Sequence, residues 1–165
     1  MRVLLSNLVV VHISDHIARV CEKSAVGALC GKVSDGQVSL LTYLESIAPL
    51  DVDKIGNDLE LHQSVFADHR VLGWYKASAL DLSADAELGS VIGKAFDISP
   101  VVICFQSPED IRVFRLEKDG SFSKCKFEVV FDEAGRIVND FVSEKILLSS
   151  GPSEELIRKS IAFLV

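Results

Sequence analysis

The chain opens with an apolar run, residues 2–5, that predicts a short β-strand. Ser6 follows, and serine is one of the residue types preferred at helix N-caps. Over residues 8–20 apolar side chains recur near helical spacing, although the β-branched run at 9–11 locally favours a strand. We therefore expect a strand that is followed directly by an amphipathic helix.

Two apolar segments, residues 25–31 and 38–44, enclose the turn sequence Ser-Asp-Gly-Gln at 34–37. Aspartate and glycine in a short turn between such segments predict a β-hairpin. An Asp-rich loop follows the hairpin, and a short helix is predicted over residues 57–69.

The middle of the chain predicts a strand, a helix and a second strand. Residues 71–75 form the first strand, and residues 84–96 carry an apolar stripe at helical spacing after the start signal Asp-Leu-Ser at 81–83. Residues 99–105 are almost all apolar. Because nothing in this segment alternates, we expect it to be a central strand of the sheet.

The alternating segments 111–117 and 121–131 surround the turn sequence Lys-Asp-Gly and predict a second hairpin with one solvent-facing side. Two further helices are predicted over residues 133–145 and 154–165. Strands and helices thus alternate along most of the chain, which predicts a mixed α/β architecture.

No linker or repeat interrupts this order, so we expect one domain over residues 1–145 and a C-terminal helical segment over residues 146–165. The segment ends on the apolar sequence Ala-Phe-Leu-Val. Such an end requires cover from the domain, from a partner or from a longer tail.

Composition excludes several classes of protein. An apolar content of 48% and a charged content of 25% are those of a globular chain. The net charge of −7, without a Lys/Arg cluster, argues against binding to nucleic acid or to an anionic membrane. No apolar run approaches the ~18 residues of a membrane span, and the N-terminus lacks a secretion signal. We therefore expect a protein of the cytoplasm and nucleus.

The four histidines are the first candidates for chemistry. His12 and His16 stand four residues apart beside Asp15, a spacing with which one helix face can hold a metal ion. No third ligand lies in register, so we interpret the two as a surface or capping pair. His62 and His69 flank the second predicted helix, and we expect them to be solvated.

The four cysteines are widely spaced, form no C-x-x-C pair, and are interpreted as buried reduced thiols. The chain also lacks the G-x-S-x-G, G-x-G-x-x-G and P-loop motifs. Residues and spacing alone therefore predict a soluble α/β domain whose role they do not reveal.

Three segments change this interpretation, because in their order and spacing they resemble the MPN (JAMM-type) domain. They are LVVVHISDHIAR at 8–19, VGALCGK at 26–32 and VLGWY at 71–75. The strand at 99–105 and the sequence EAGRI at 133–137 are similar to later elements of that domain. The resemblance implies an α/β, MPN (JAMM-like) fold with a mixed curved β-sheet flanked by helices, and it favours the helix over residues 8–20.

Enzymes of this family are zinc isopeptidases that remove ubiquitin or a ubiquitin-like protein. Their motif places a glutamate base before the V-G-x-L-x-G strand and H-x-H directly after Gly-Trp-Tyr. The resemblance puts the base at Ser24 and the two histidine ligands at Lys76 and Ser78. None of these three residues supplies the chemistry that the motif needs.

The remaining motif, S-x-x-D, falls without a gap on Ala86 and Gly89, while Asp85 is the nearest carboxylate and is out of step. The ammonium group of Lys76 would also repel a dication. The resemblance therefore implies a pseudoenzyme without catalytic residues, bound metal or cofactor.

Non-catalytic MPN domains are scaffold subunits that pair with a catalytic MPN subunit. The sequence ISDHIAR at 13–19 is most similar to subunit six of the COP-nine signalosome, whose catalytic partner is a deneddylase. The proteasome lid, translation initiation factor three and Abraxas-type deubiquitinase complexes contain alternative relatives. A hydrolase with a cryptic, non-zinc site is the alternative of another class.

The expected partners are a catalytic MPN subunit and other subunits of a large complex, with no nucleic acid and no membrane. Apolar helix faces that the core does not need are the candidate interfaces. They would include Val10, Ile13, Ile17, Leu88, Ile92 and Phe163.

Overall fold

The computed structural model describes residues 2–20, 25–107 and 109–131. The predicted helices over 133–145 and 154–165, with Phe163, lie outside these residues, as do Cys21 and Ser24. The described elements, in chain order, are β1 (Arg2–Ser6), α1 (Asn7–Arg19), β2 (Ala25–Ser34), β3 (Gln37–Ile47), α2 (Val52–Gln63), β4 (Arg70–Lys76), α3 (Leu82–Phe96), β5 (Val101–Ser107), β6 (Asp110–Leu116), β7 (Phe122–Cys125) and β8 (Phe127–Val130).

All eight strands belong to one sheet, in the order β7-β6-β5-β4-β2-β3-β1-β8. The two edge strands are consecutive in the chain, because β7 ends at Cys125, β8 begins at Phe127 and only Lys126 lies between them. One extended residue spans about 3.5 Å, so the opposite edges of the sheet must approach each other at Lys126. The sheet is therefore curled into a nearly closed barrel.

The expectation of an MPN (JAMM-like) fold, with a curved sheet flanked by helices, is wrong. The described residues form a mixed α/β structure that consists mostly of strands and is organised by the nearly closed sheet. The three resembling segments determine only local elements, α1, β2 and β4. Closure depends instead on residues 121–131, which were predicted as one strand. They form two, and β8 leaves β7 to pair in parallel with β1.

One apolar cluster lies on the inner face of this sheet, and all eight strands contribute to it. Val9 and Ile13 of α1 belong to the same cluster and are 1% exposed. Burial of these side chains explains why a β-branched segment forms a helix here, since tertiary packing outweighs local propensity. Ser6 holds the N-cap position, but its side chain makes no capping hydrogen bond.

A second cluster lies where α2 and α3 cover strands β2, β4 and β5. Ile55 of α2 and Ile92 of α3 pack there with Trp74. Helix α2 begins earlier than predicted because Asp51 is its cap, accepting hydrogen bonds from the backbone N–H groups of Asp53 and Lys54. None of the helices in the described ranges is long and apolar enough to cross a membrane.

The predicted first hairpin is confirmed, with Ser34 paired to Gln37 across a two-residue turn. Both turn residues, Asp35 and Gly36, have positive φ values of 49° and 74°. Such a turn matches the twist of the strands that it joins. The helix predicted over 84–96 is also confirmed, and it begins two residues earlier, at Leu82.

Close packing of β4 against β5 gives a first testable prediction. A Cβ atom on Gly73 would lie only 2.6 Å from the carbonyl carbon and 2.7 Å from the backbone nitrogen of Val101. Gly73→Ala should therefore lower the free energy of unfolding, measured in urea, by about 1–3 kcal/mol. Gly56→Ala is the matched control, because nothing lies within 4 Å of its Cβ position in α2, and it should stabilise by about 0.5–1 kcal/mol. Equal effects of the two substitutions would contradict the packing.

Candidate functional site

A partly buried ion pair joins the end of β4 to the first turn of α3. The Nζ atom of Lys76 lies 3.0 Å from Oδ1 and 2.8 Å from Oδ2 of Asp85. Oδ2 also accepts a hydrogen bond from the backbone N–H of Asp81, at 2.7 Å. The side chains of Lys76 and Asp85 are 15% and 5% exposed, so this carboxylate is almost removed from solvent and is satisfied by protein groups.

The sequence positions both members of the pair. Lys76 is held between neighbouring strands, opposite Val26 of β2 and Cys104 of β5. Asp81 caps α3 by accepting hydrogen bonds from the N–H groups of Ser83 and Ala84, and these bonds lower the pKa of its carboxyl group. Helix α3 then begins so that Asp85 lies in its first turn, where a negative charge is favourable.

The pair forms part of the wall of a cavity of about 340 Å³. Most of the remaining wall is apolar and includes Val26, Pro49, Trp74 and Leu88, with the polar residue Ser78 also present. The cavity therefore presents one salt-bridged pair among apolar side chains. It has the concave, largely apolar character of a small-molecule site.

The pairing limits what the two charged groups can do. Both carboxylate oxygens of Asp85 contact the Lys76 ammonium group, so a metal ion could use them only after displacing Lys76. The ammonium group in turn donates to both carboxylate oxygens, and an ammonium nitrogen has no lone pair with which to act as a nucleophile. The arrangement is that of a structural ion pair in which the Lys76 ammonium group occupies the position that a metal ion would need.

Two of the degenerate motif positions, Lys76 and Ser78, line this cavity. Ala86 and Gly89 instead line a separate cavity of about 210 Å³. A Cβ atom on Gly89 would lie 2.6 Å from Cδ2 of Leu116, so this position lies against the sheet. Asp85, expected to be out of step, is the carboxylate that reaches Lys76. Its place in the first turn after a capping aspartate is the sequence signal that could have indicated this.

The predicted interface residues differ in exposure. Ile13 and Ile92 lie fully inside the two apolar clusters and present no surface, because their helices use them to pack on the sheet. Val10, Ile17 and Leu88 are partly buried at the margins of the clusters. More exposed apolar side chains stand next to them, at Leu8 and Val11 of α1 and at Val91 of α3.

The expectation that His12 and His16 form a surface or capping pair is wrong. His16 is 2% exposed, and its Nδ1 atom lies 2.7 Å from the hydroxyl oxygen of Tyr75. Burial lowers the pKa of His16 and raises that of Tyr75, so a neutral imidazole and a neutral hydroxyl share this hydrogen bond. His12 is exposed and stacks on Tyr43, with ring centroids 5.1 Å apart.

His62 and His69 are paired rather than separately solvated, which corrects a second expectation. The Nε2 atom of His62 lies 2.9 Å from the Nδ1 atom of His69, and Phe66 stacks against both rings. His69 is only 6% exposed. The two residues meet because His62 lies in the last turn of α2, which ends at Gln63, and the chain then turns back through His69 to enter β4.

The interpretation of the cysteines as buried reduced thiols is confirmed for Cys30 and Cys104, while Cys125 is reduced but only half-buried. Burial raises the pKa of Cys30 to about 12 and that of Cys104 to about 11, so both are inert thiols. Among the described residues, no group of three or more His, Cys, Asp or Glu side chains is arranged to hold a metal ion.

Comparisons with known proteins show the fold alone. No family model matches the chain, and no curated protein matches it. Among solved structures, the chain is similar to the solution structure of protein DSY2949 from Desulfitobacterium hafniense, with a TM-score of 0.57 and 16% sequence identity. The similarity covers 79% of this chain and 94% of that one.

The Lys76–Asp85 pair gives a second prediction. Lys76→Met should lower the free energy of unfolding by about 3 kcal/mol, because it leaves the Asp85 carboxylate buried without its cation. Adding Asp85→Asn should recover most of this loss, since an asparagine oxygen still accepts from the N–H of Asp81. As a control, Lys54→Met breaks the exposed Lys54–Asp58 pair and should cost less than about 0.5 kcal/mol. Similar losses from both lysine substitutions would contradict the importance of burial.

His16 gives a prediction about pH. Its pKa in the folded protein lies below the ordinary value of 6.5, so below that pH the unfolded chain binds a proton that the folded protein does not. Stability should therefore fall as the pH drops through about 6.5 towards the folded pKa, and it should be retained above 6.5. Denaturant unfolding at pH 7.5 and 5.5 measures this difference. The loss of stability between pH 7.5 and 5.5 should shrink in His16→Gln but persist in His12→Gln, which removes an exposed ring. An unchanged loss in His16→Gln would refute the role of His16 in this pH dependence.

Proposed function

We propose that the chain is a non-catalytic scaffold subunit of a multiprotein complex, closest to subunit six of the COP-nine signalosome. Its principal partner would be the catalytic MPN subunit, a deneddylase, with which it forms a heterodimer. The proposal rests on the three resembling segments and on the Lys76–Asp85 pair. The scaffold role does not depend on the helix-flanked sheet, which was expected from the resemblance and is not observed.

The ion pair is the observation that best supports a non-catalytic role. Zinc-dependent hydrolysis needs a metal ion that has an open coordination position and is held by neutral or anionic ligands. Among the residues that the structure describes, Asp85 is the one carboxylate that lines the cavity, and both of its oxygens contact the Lys76 ammonium group. Two positive ions at this carboxylate would repel each other by several kcal/mol in a partly desolvated site. The ion pair therefore favours a structural role for these two residues over metal-dependent hydrolysis in the cavity.

Exposed apolar side chains on the helices support the binding of a protein partner. Val11 on α1 is 42% exposed and Val91 on α3 is 52% exposed, although both helices bury other apolar residues in the core. Apolar groups at the centre of an interface exclude water and carry much of its affinity. We place the subunit in the cytoplasm and nucleus, where signalosome subunits would be found.

Two measurements on the full-length chain test the scaffold role. Affinity purification from cells of its source should recover a catalytic MPN subunit, and recovery of cullin-deneddylating subunits would support the signalosome. Proteasome, translation-factor or deubiquitinase subunits would replace that assignment with one of the alternatives. In a parallel assay with ubiquitin and ubiquitin-like conjugates, with and without added Zn²⁺, we expect no turnover. Turnover, or the absence of any catalytic MPN subunit from the purified complex, would overturn the scaffold role.

A matched pair of valines tests the interface. Val11→Glu on α1 should reduce recovery of the partner subunits at least about tenfold, because a charge at the centre of an apolar contact is costly to desolvate. Val33→Glu is the control, since Val33 is 59% exposed and lies near the end of β2 rather than on a helix. Both variants should unfold at the same urea concentration as the native chain. Equal recovery with both variants would exclude α1 as the interface.

A further inference from the structure

The paired imidazoles of His62 and His69 lie where α2 ends and the chain turns towards β4. Their facing nitrogens are 2.9 Å apart and their ring centroids are 5.1 Å apart. Because the ring centroids are separated by much more than the nitrogens, the rings face each other almost edge to edge, with the two nitrogens sharing one hydrogen bond. From this geometry we infer that His62 and His69 form a binding site for a divalent transition-metal ion such as Cu²⁺ or Zn²⁺.

The distances suit a metal bridge with little movement. An imidazole nitrogen binds zinc at about 2.0–2.1 Å, and a tetrahedral angle between two such bonds places the nitrogens about 3.3 Å apart. The observed separation is only a few tenths of an ångström shorter. An ion can therefore replace the proton between the two rings after small rotations of each ring. Imidazole is also a ligand type preferred by copper, zinc and nickel.

The surrounding contacts hold the two rings in place before a metal binds. Phe66 stacks on His62 and on His69, with centroid distances of 5.0 and 4.9 Å. The backbone N–H of His69 donates to the carbonyl of Phe66 at 3.0 Å, and the Gln63 side chain donates to the carbonyl of His69 at 2.7 Å. A ligand pair that is already ordered loses little conformational entropy on binding.

Charge and access also permit binding. Asp68, the residue before His69, forms an ion pair with Lys32, so this neighbouring pair adds no net positive charge to repel a cation. His62 is only half-buried, which leaves the metal an open side. Two protein ligands leave further coordination positions, and water fills these in the isolated chain.

The other histidine pair lacks this geometry. His12 and His16 have the spacing that a helix uses for metal ligands, but Nδ1 of His16 is engaged by Tyr75. His12 lies against Tyr43. Spacing along the chain therefore indicates the wrong pair, and the fold brings together the pair that is seven residues apart.

Titration of the full chain with CuCl₂ and, separately, with ZnCl₂ tests the site by calorimetry and by the visible absorption of bound copper. We expect one saturable site, with Cu²⁺ bound more tightly than Zn²⁺ and with the His62 and His69 imidazole NMR signals broadened by copper. His62→Gln should weaken binding at least about tenfold, and His12→Gln should leave it unchanged. His69→Gln should also lose the site. Because His69 is buried, His69→Gln could unfold the protein, and in that case His62→Gln alone decides the test.

The opposite results would overturn the site. Binding that persists in His62→Gln within about twofold, binding lost in His12→Gln, or only unsaturable adsorption would each show that these two rings hold no metal ion. Mg²⁺ is a further control, because it prefers oxygen ligands and should produce no signal.

Discussion

The single-residue connection at Lys126 constrains the whole structure. Because β7 and β8 stand at opposite ends of the strand order but only one residue apart in the chain, the sheet must curl until its edges meet. Curling directs one face of every strand inwards, and the resulting cluster is large enough to bury Val9 and Ile13 of α1. The outer face of the middle strands is then left for α2 and α3.

Strand β4 links this constraint to the candidate sites. It lies in the middle of the sheet, between β5 and β2, and its successive side chains pack alternately into the two clusters, as Trp74 and Tyr75 illustrate. The His62–His69 pair precedes its first residue, and the Lys76–Asp85 pair lies at its last. The two sites are therefore seven residues apart on a rigid element, so a metal ion at the histidines and the ion pair at Lys76 are independent of each other.

The sequence predicts elements whose signals are local. The Asp35–Gly36 turn, the Asp81 cap of α3 and the unbroken apolar run of β5 each depend on neighbouring residues, and all three are observed. Helix α2 begins before residue 57 because Asp51 caps it, and this start includes Ile55, which packs in the second cluster. The sequence offers several acidic or amide residues as caps, and tertiary packing is not visible in it. The division of residues 121–131 into two strands has no local signal, since it depends on the partner of each half.

The candidate sites were predictable only in part, for the same reason. Lys76 was identified by its place after Gly-Trp-Tyr, but its partner Asp85 became evident only when α3 placed it opposite the end of β4. Contacts such as His16 with Tyr75 join residues 59 positions apart, and no spacing along the chain encodes them. Lys76 can therefore be recognised from the sequence as a residue that cannot bind zinc, whereas its ion-pair partner depends on the fold.

The central claim is that the Lys76 ammonium group is the cation that neutralises Asp85. Nitrogen-detected NMR of the lysine side chains, with Zn²⁺ added at neutral pH, tests it most directly. We expect a protected Lys76 ammonium signal that is lost on Asp85→Asn and unmoved by zinc. A Lys76 signal that resembles those of exposed lysines, or one that zinc displaces, would contradict it.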